Sequence, residues 1–86
     1  MVKFVGNADI PGVNVKYFVF GNRRKGYSIR IVENNVNSAN CFVSSKLSET
    51  LDIAYMLRRC SVFPENLPEI MEDLRYAAMQ EIMCQS

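Results

Sequence analysis

The sequence predicts an α+β domain: a three- to four-stranded antiparallel β-meander followed by two C-terminal helices packed on one face. Three observations carry that prediction. The first half alternates short runs of β-branched and aromatic residues with clusters of Gly, Asn and Pro. The second half loses that alternation and gains apolar residues at spacings of three and four. The stretch around Pro64 and Pro68 gathers several helix-start signals at once.

In the first half, Val13 to Phe20 reads as a strand. Val13, Val15, Tyr17 and Val19 share one face, and Asn14, Lys16, Phe18 and Phe20 share the other. Gly21 to Gly26 is a connector with Arg23, Arg24 and Lys25 between its glycines. Tyr27 to Glu33 alternates cleanly, with Tyr27, Ile29 and Ile31 inward and Ser28 and Arg30 outward, so the pair forms an antiparallel hairpin. Asn34 to Asn40 reads as a polar turn and Cys41 to Ser44 as a third short strand. Before these, Asn7 to Gly12 is turn chemistry ending in Pro-Gly, and Met1 to Val5 is either a fourth, edge strand or a loosely held arm.

In the second half, Ser48, with Ser45 as the alternative, caps a first helix that ends at Arg58-Arg59. Its inward stripe is Leu47, Leu51, Ala54 and Leu57. The second helix is expected to start on a capping box, Asn66 with Glu69, and to hold Pro68 in its first turn. Glu69, Glu72 and Asp73 suit the positive end of its dipole. Leu67, Ile70, Met71, Leu74, Ala77, Ala78 and Ile82 then fall on one face, with Leu74 at its centre against Tyr17 or Ile29.

Eighty-six residues make one domain, 1–86, and the formal net charge of +1 argues against a global polycation. No apolar run approaches the ~20 residues needed to span a bilayer. The N-terminal segment lacks a signal peptide's apolar region, so a cytoplasmic protein without membrane attachment is expected. Cys41, Cys60 and Cys84 are far apart, and the chain has no histidine. That composition offers no disulfide framework, no metal site and no base for a catalytic thiol. The sequence therefore points away from an enzyme and implies no cofactor.

Val62-Phe63-Pro64-Glu65-Asn66-Leu67, followed by Met71-Glu72-Asp73-Leu74, resembles the C-terminal signature of a family of small bacterial proteins of unknown function. In that family a V-x-P-x-x-L segment leads into a helix containing an acidic E-D pair. Tyr17-Phe18-Val19 and Tyr27-Ser28-Ile29-Arg30-Ile31 look like its two aromatic-led strands, although the second usually has Gly where Ser28 stands. The resemblance implies a fold and a bacterial cytoplasmic origin. It implies no activity.

Candidate sites are few. Adjacent helical residues point about 100° apart, so Glu72-Asp73 cannot act as a carboxylate dyad and reads as dipole compensation, with Glu72 pairing to Arg75 or lying near the Tyr76 hydroxyl. Arg23, Arg24 and Lys25 form an anion-binding candidate, with Lys16, Tyr17, Phe18 and Arg30 on the same hairpin. Tyr76, Met79 and Met83 form an outward apolar strip on the last helix, extended by Met56, and are the candidate partner-binding residues. The leading functional reading is a small intracellular interaction or regulatory module that binds a protein partner or forms a homodimer. The alternative is a nucleic-acid-binding module that uses the basic hairpin tip.

Overall fold

The structure, a computed structural model, describes residues 1–75, with Asp9 placed by its backbone alone. Strands β1 (Val2–Ile10), β2 (Val13–Asn22), β3 (Gly26–Glu33) and β4 (Asn37–Ser44) form one antiparallel sheet in the order β1-β2-β3-β4. Helix α1 (Leu47–Arg59) follows, then a 3-10 turn at Pro64–Asn66 that runs directly into helix α2 over residues 67–75. Both helices pack on the same face of the sheet, as the sequence predicts.

The alternation in β2 and β3 sets the core. Val15, Tyr17, Val19, Ile29 and Ile31 are fully buried beneath α1 and α2, and Ala54, Leu57, Leu67 and Met71 meet them from the helical layer. Removing each large aliphatic side chain from water contributes about 1.5–3 kcal/mol before conformational entropy is subtracted. Thr50 is also fully buried, in the first turn of α1. Its hydroxyl donates to the Lys46 carbonyl at 3.0 Å, which satisfies the one polar group that burial would otherwise leave unmatched.

The N-terminal segment differs most from expectation. Residues 2–10 form a full edge strand, and the turn shrinks to Pro11-Gly12. The register shifts between Phe4 and Gly6, so Val5 is the extra residue of a β-bulge. A bulge reverses the facing of everything beyond it. Val2 and Phe4 therefore share a face with Phe18 and Phe20, whereas Gly6 and Ala8 sit beside Tyr17 and Val15. Gly6, at φ 153°, lies directly beneath the Arg58 side chain, where a Cβ has no room. Arg58 then donates its Nε proton to the Asn7 carbonyl at 3.1 Å.

Strand β4 likewise begins earlier than expected, at Asn37. The connection before it is short because Asn34 and Asn35 both take positive φ, 52° and 59°, and Val36 donates back to the Glu33 carbonyl at 3.0 Å. Asn tolerates that conformation better than other residues with a side chain. On this edge strand Ala39 and Cys41 are half-buried beneath the helices, while Phe42 stands on the other side.

The helix starts also differ. The residue before α1 is Lys46, and neither Ser48 nor Ser45 caps it. No side chain caps the first turn; Ser44, at the end of β4, instead accepts from the Lys46 amide at 3.0 Å and donates to Glu49 at 2.6 Å, tying the strand end to the helix start. The Asn66–Glu69 capping box does not form, because the 3-10 turn at Pro64–Asn66 already supplies the first helical turn. Leu74 is half-buried at the rim, and Leu67 and Met71 hold the core positions instead. Met56, expected to extend an outward strip, packs against the core, and Cys60 is exposed. Arg75 turns away from Glu72 and donates to the Phe42 carbonyl at 3.1 Å.

Candidate functional site

The sheet has a second face, and among the described residues nothing packs on it. Register alone assembles this face. Its first row runs Val2, Phe20, Ser28, Phe42 across the four strands; the second runs Phe4, Phe18, Arg30, Asn40; the third runs Asn7, Lys16, Val32, Ser38. Four phenylalanines thus share one open surface with Lys16 and Arg30, which sit diagonally across β2 and β3 with Phe18 beside both. Val2 is 74% exposed, Phe4 51% and Phe42 50%, values far above those of the opposite face. Large aromatic area left in water at this density marks a surface that something covers.

The rings are held in place. Phe4 and Phe18 pack with centroids 5.3 Å apart and planes tilted by 54°, an arrangement favoured by the aromatic quadrupole. Phe42 lies over Gly26, where a side chain would strike the ring. Gly26 also has φ 87°, which closes the Arg23-Arg24-Lys25 connection. The start of β1 is fixed by reciprocal bonds: the Met1 ammonium donates to the Gly21 carbonyl at 3.1 Å, and the Gly21 amide returns a bond to Met1 at 3.0 Å. Between these rings and the cations lies an open depression of about 470 Å³, whose lining includes Phe18, Phe20, Lys16, Arg30, Asn35 and Asn40. Ligand sites of about 300–1,000 Å³ with a few polar groups among apolar ones are of this kind.

Charge in the three central rows has one sign: their described side chains include two cations and no carboxylate, and the register places Asp9, paired with Asn14, in the row beyond Lys16. The hairpin tip adds more: Arg23, Arg24 and Lys25 are all exposed, and the tip extends β2 and β3 beyond the row of Phe20 and Ser28. Its shape is set by Asn22, whose Oδ1 accepts from the Lys25 amide at 2.8 Å.

Of the residues singled out in the sequence, Lys16, Phe18 and Arg30 come together on this face, with Arg23, Arg24 and Lys25 at one end of it. Tyr17 does not join them. It points into the core, where its hydroxyl donates to the Val62 carbonyl at 2.8 Å. Burial pushes its phenol up to about 12, against the opposing pull of the Arg58 charge. Tyr76, Met79 and Met83 lie outside the described residues, while Met56, the proposed extension of their strip, is half-buried. Glu72 and Asp73 are exposed, and among the described residues no group of three potential metal ligands converges. No helix among the described residues is long and apolar enough to cross a membrane. Comparison with protein-family models, curated proteins and solved structures gives no match, so the resemblance of Val62 to Leu74 gains no support there.

Sequence reasoning missed Val2, Phe4, Asn40 and Phe42 as members of one surface. The signal for β2 and β3 was present in their strict alternation. For β1 and β4 it was hidden by irregular register: the alternation breaks at Val5, and the pairing shifts between Tyr27 and Ser28.

Proposed function

We propose that this chain is a non-catalytic binding module whose working surface is the open face of its sheet. The observation that carries the reading is the concentration of Phe4, Phe18, Phe20 and Phe42 around Lys16 and Arg30 on a face that the described residues of the helical layer leave uncovered. Phe4 and Phe42 keep about half of their surface in water where they stand, and Phe18 and Phe20 are half-buried between them, so part of this aromatic area does not serve the fold. They supply what binding surfaces are enriched in, namely rigid aromatic area beside an arginine. A catalytic role is the poorer reading, because the chain has no histidine to serve as a base. Cys41 and Cys60 stand as free thiols, which suits a reducing cytoplasm as the place of work.

The test uses anilinonaphthalene sulfonate, an aromatic anion, as a probe of the surface. Titrating it into the isotope-labelled protein should shift the backbone resonances of Phe18, Arg30 and Asn40, and Arg30→Ser should weaken that response. Shifts confined to the helical layer, or none at millimolar probe, would sink the proposal.

A further inference from the structure

We infer that the occupant of the open face is single-stranded nucleic acid, its bases stacked on the phenylalanines and its phosphates on Lys16, Arg30 and the hairpin tip. This rests on reading the open face as the binding surface. Charge complementarity selects an anion: the three central rows carry Lys16 and Arg30 with no acid among their described side chains, the exposed tip adds Arg23, Arg24 and Lys25, and Asp9 stands one row beyond Lys16, at the end away from that tip. A second copy of the chain pressed against this face would meet cation with cation, and no carboxylate in those rows would relieve the repulsion.

Aromatic content then selects among anions. Phe18 and Phe20 are alternate residues of one strand, so their rings stand roughly 6.7 Å apart along β2, and Phe4 continues the row sideways from Phe18. Unpaired bases stack on such rings whatever their identity, because every base has a π-face. A duplex hides its bases and cannot use them. The depression of about 470 Å³ beside Phe18 and Phe20 has Asn35 and Asn40 in its lining, amides that can meet the edge of one base turned into it. Beyond Phe20 the exposed Arg23, Arg24 and Lys25 prolong the cationic track in the direction in which β2 runs. Lys16 at one end and the tip at the other thus bracket the aromatic row.

The experiment is fluorescence anisotropy of a labelled short oligothymidylate, at low salt and over a salt series, with the matching duplex as competitor. The wild type should bind the single strand, and the duplex should compete poorly. Lys16→Ala with Arg30→Ala should lower the slope of log K against log salt by about 1.4, since each phosphate contact on a single strand contributes about 0.7. Phe18→Leu keeps the apolar bulk and removes the stacking ring, so affinity should fall roughly 5- to 150-fold. Should Phe18→Leu fail to fold, the exposed Phe4→Leu reads the same term.

Absence of oligothymidylate binding at low salt overturns the inference. If anilinonaphthalene sulfonate still maps to the face in that case, the binding-surface reading survives and only the occupant is wrong. Equal binding of duplex and single strand overturns it as well, as does binding abolished by Arg23→Ala, Arg24→Ala and Lys25→Ala together yet indifferent to Phe18→Leu. Attachment to phosphatidylserine vesicles without any oligonucleotide binding assigns the face to lipid and ends the proposal.

Discussion

Tyr17→Phe removes a single oxygen and leaves the ring where it is. In the native fold that oxygen donates to the Val62 carbonyl at 2.8 Å in a fully buried position, joining the middle of β2 to the segment between α1 and the 3-10 turn. Without the hydroxyl, the carbonyl of Val62, itself 7% exposed, loses its partner far from water. An unmatched buried acceptor costs about 1–3 kcal/mol. In a domain of this size each kcal/mol moves the melting temperature by about 4–8 °C, so the variant should melt at least about 4 °C below wild type. The pH dependence gives an independent check. The folded phenol sits at about 12, above its unfolded value of about 10, so the folded state holds its proton longer than the unfolded chain does. The stability linked to this group is therefore whole below pH 10 and is lost as pH climbs through about 12, at up to about 1.4 kcal/mol per pH unit. Urea titrations of both proteins at neutral and alkaline pH measure it. The wild-type advantage should shrink above pH 10. If Tyr17→Phe matched the wild type in midpoint at neutral pH, and the two ran parallel into alkali, the proposed role of this hydroxyl would be refuted.

Two further predictions concern packing. Met71→Ala should cost about 2–5 kcal/mol, as large-to-small changes in a closed core do, and Leu74→Ala should cost clearly less because Leu74 is only half-buried; reversed magnitudes in denaturant melts would mean that α2 is rotated about its axis. Gly6→Ala should destabilise by about 1–3 kcal/mol, because φ 153° strains any residue with a Cβ and the new methyl also displaces the Arg58 side chain. Only the part due to displacing Arg58 should be lost in an Arg58→Ala background, and a double-mutant cycle showing no coupling would contradict the contact.

How much was legible in the sequence depended on the regularity of each element. In β2 and β3 every residue from Val15 to Val19 and from Tyr27 to Ile31 obeys a period of two, and the buried face was visible before any fold was known. In β1 the period is broken by a bulged residue, which puts Phe4 and Ala8 on opposite faces although they are an even number apart. Strand β4 opens with Asn37, Ser38 and Asn40, polar residues that read as a turn yet suit an edge strand half open to water. The helices were recognisable by spacing, but their starts were not. Helix α1 has no side-chain cap and is tied to β4 through Ser44, and α2 inherits its first turn from Pro64–Asn66. The candidate surface was half visible for the same reason. Its central strands could be read directly, while the outer residues needed the register that pairs Phe4 with Phe18 and Phe42 with Ser28.

Each outer strand of the sheet has a backbone carbonyl claimed by an arginine from the helical layer, Asn7 of β1 by Arg58 and Phe42 of β4 by Arg75. An uncovered strand border is a template for another chain, and a guanidinium bound there blocks the recruitment. The guard belongs to the helices and leaves with them. A fluctuation that lifts α1 and α2 from the sheet would free both borders in the same event, while the strands remain paired to one another. We expect aggregation under mild destabilisation to follow such partial opening of the helical layer rather than complete unfolding.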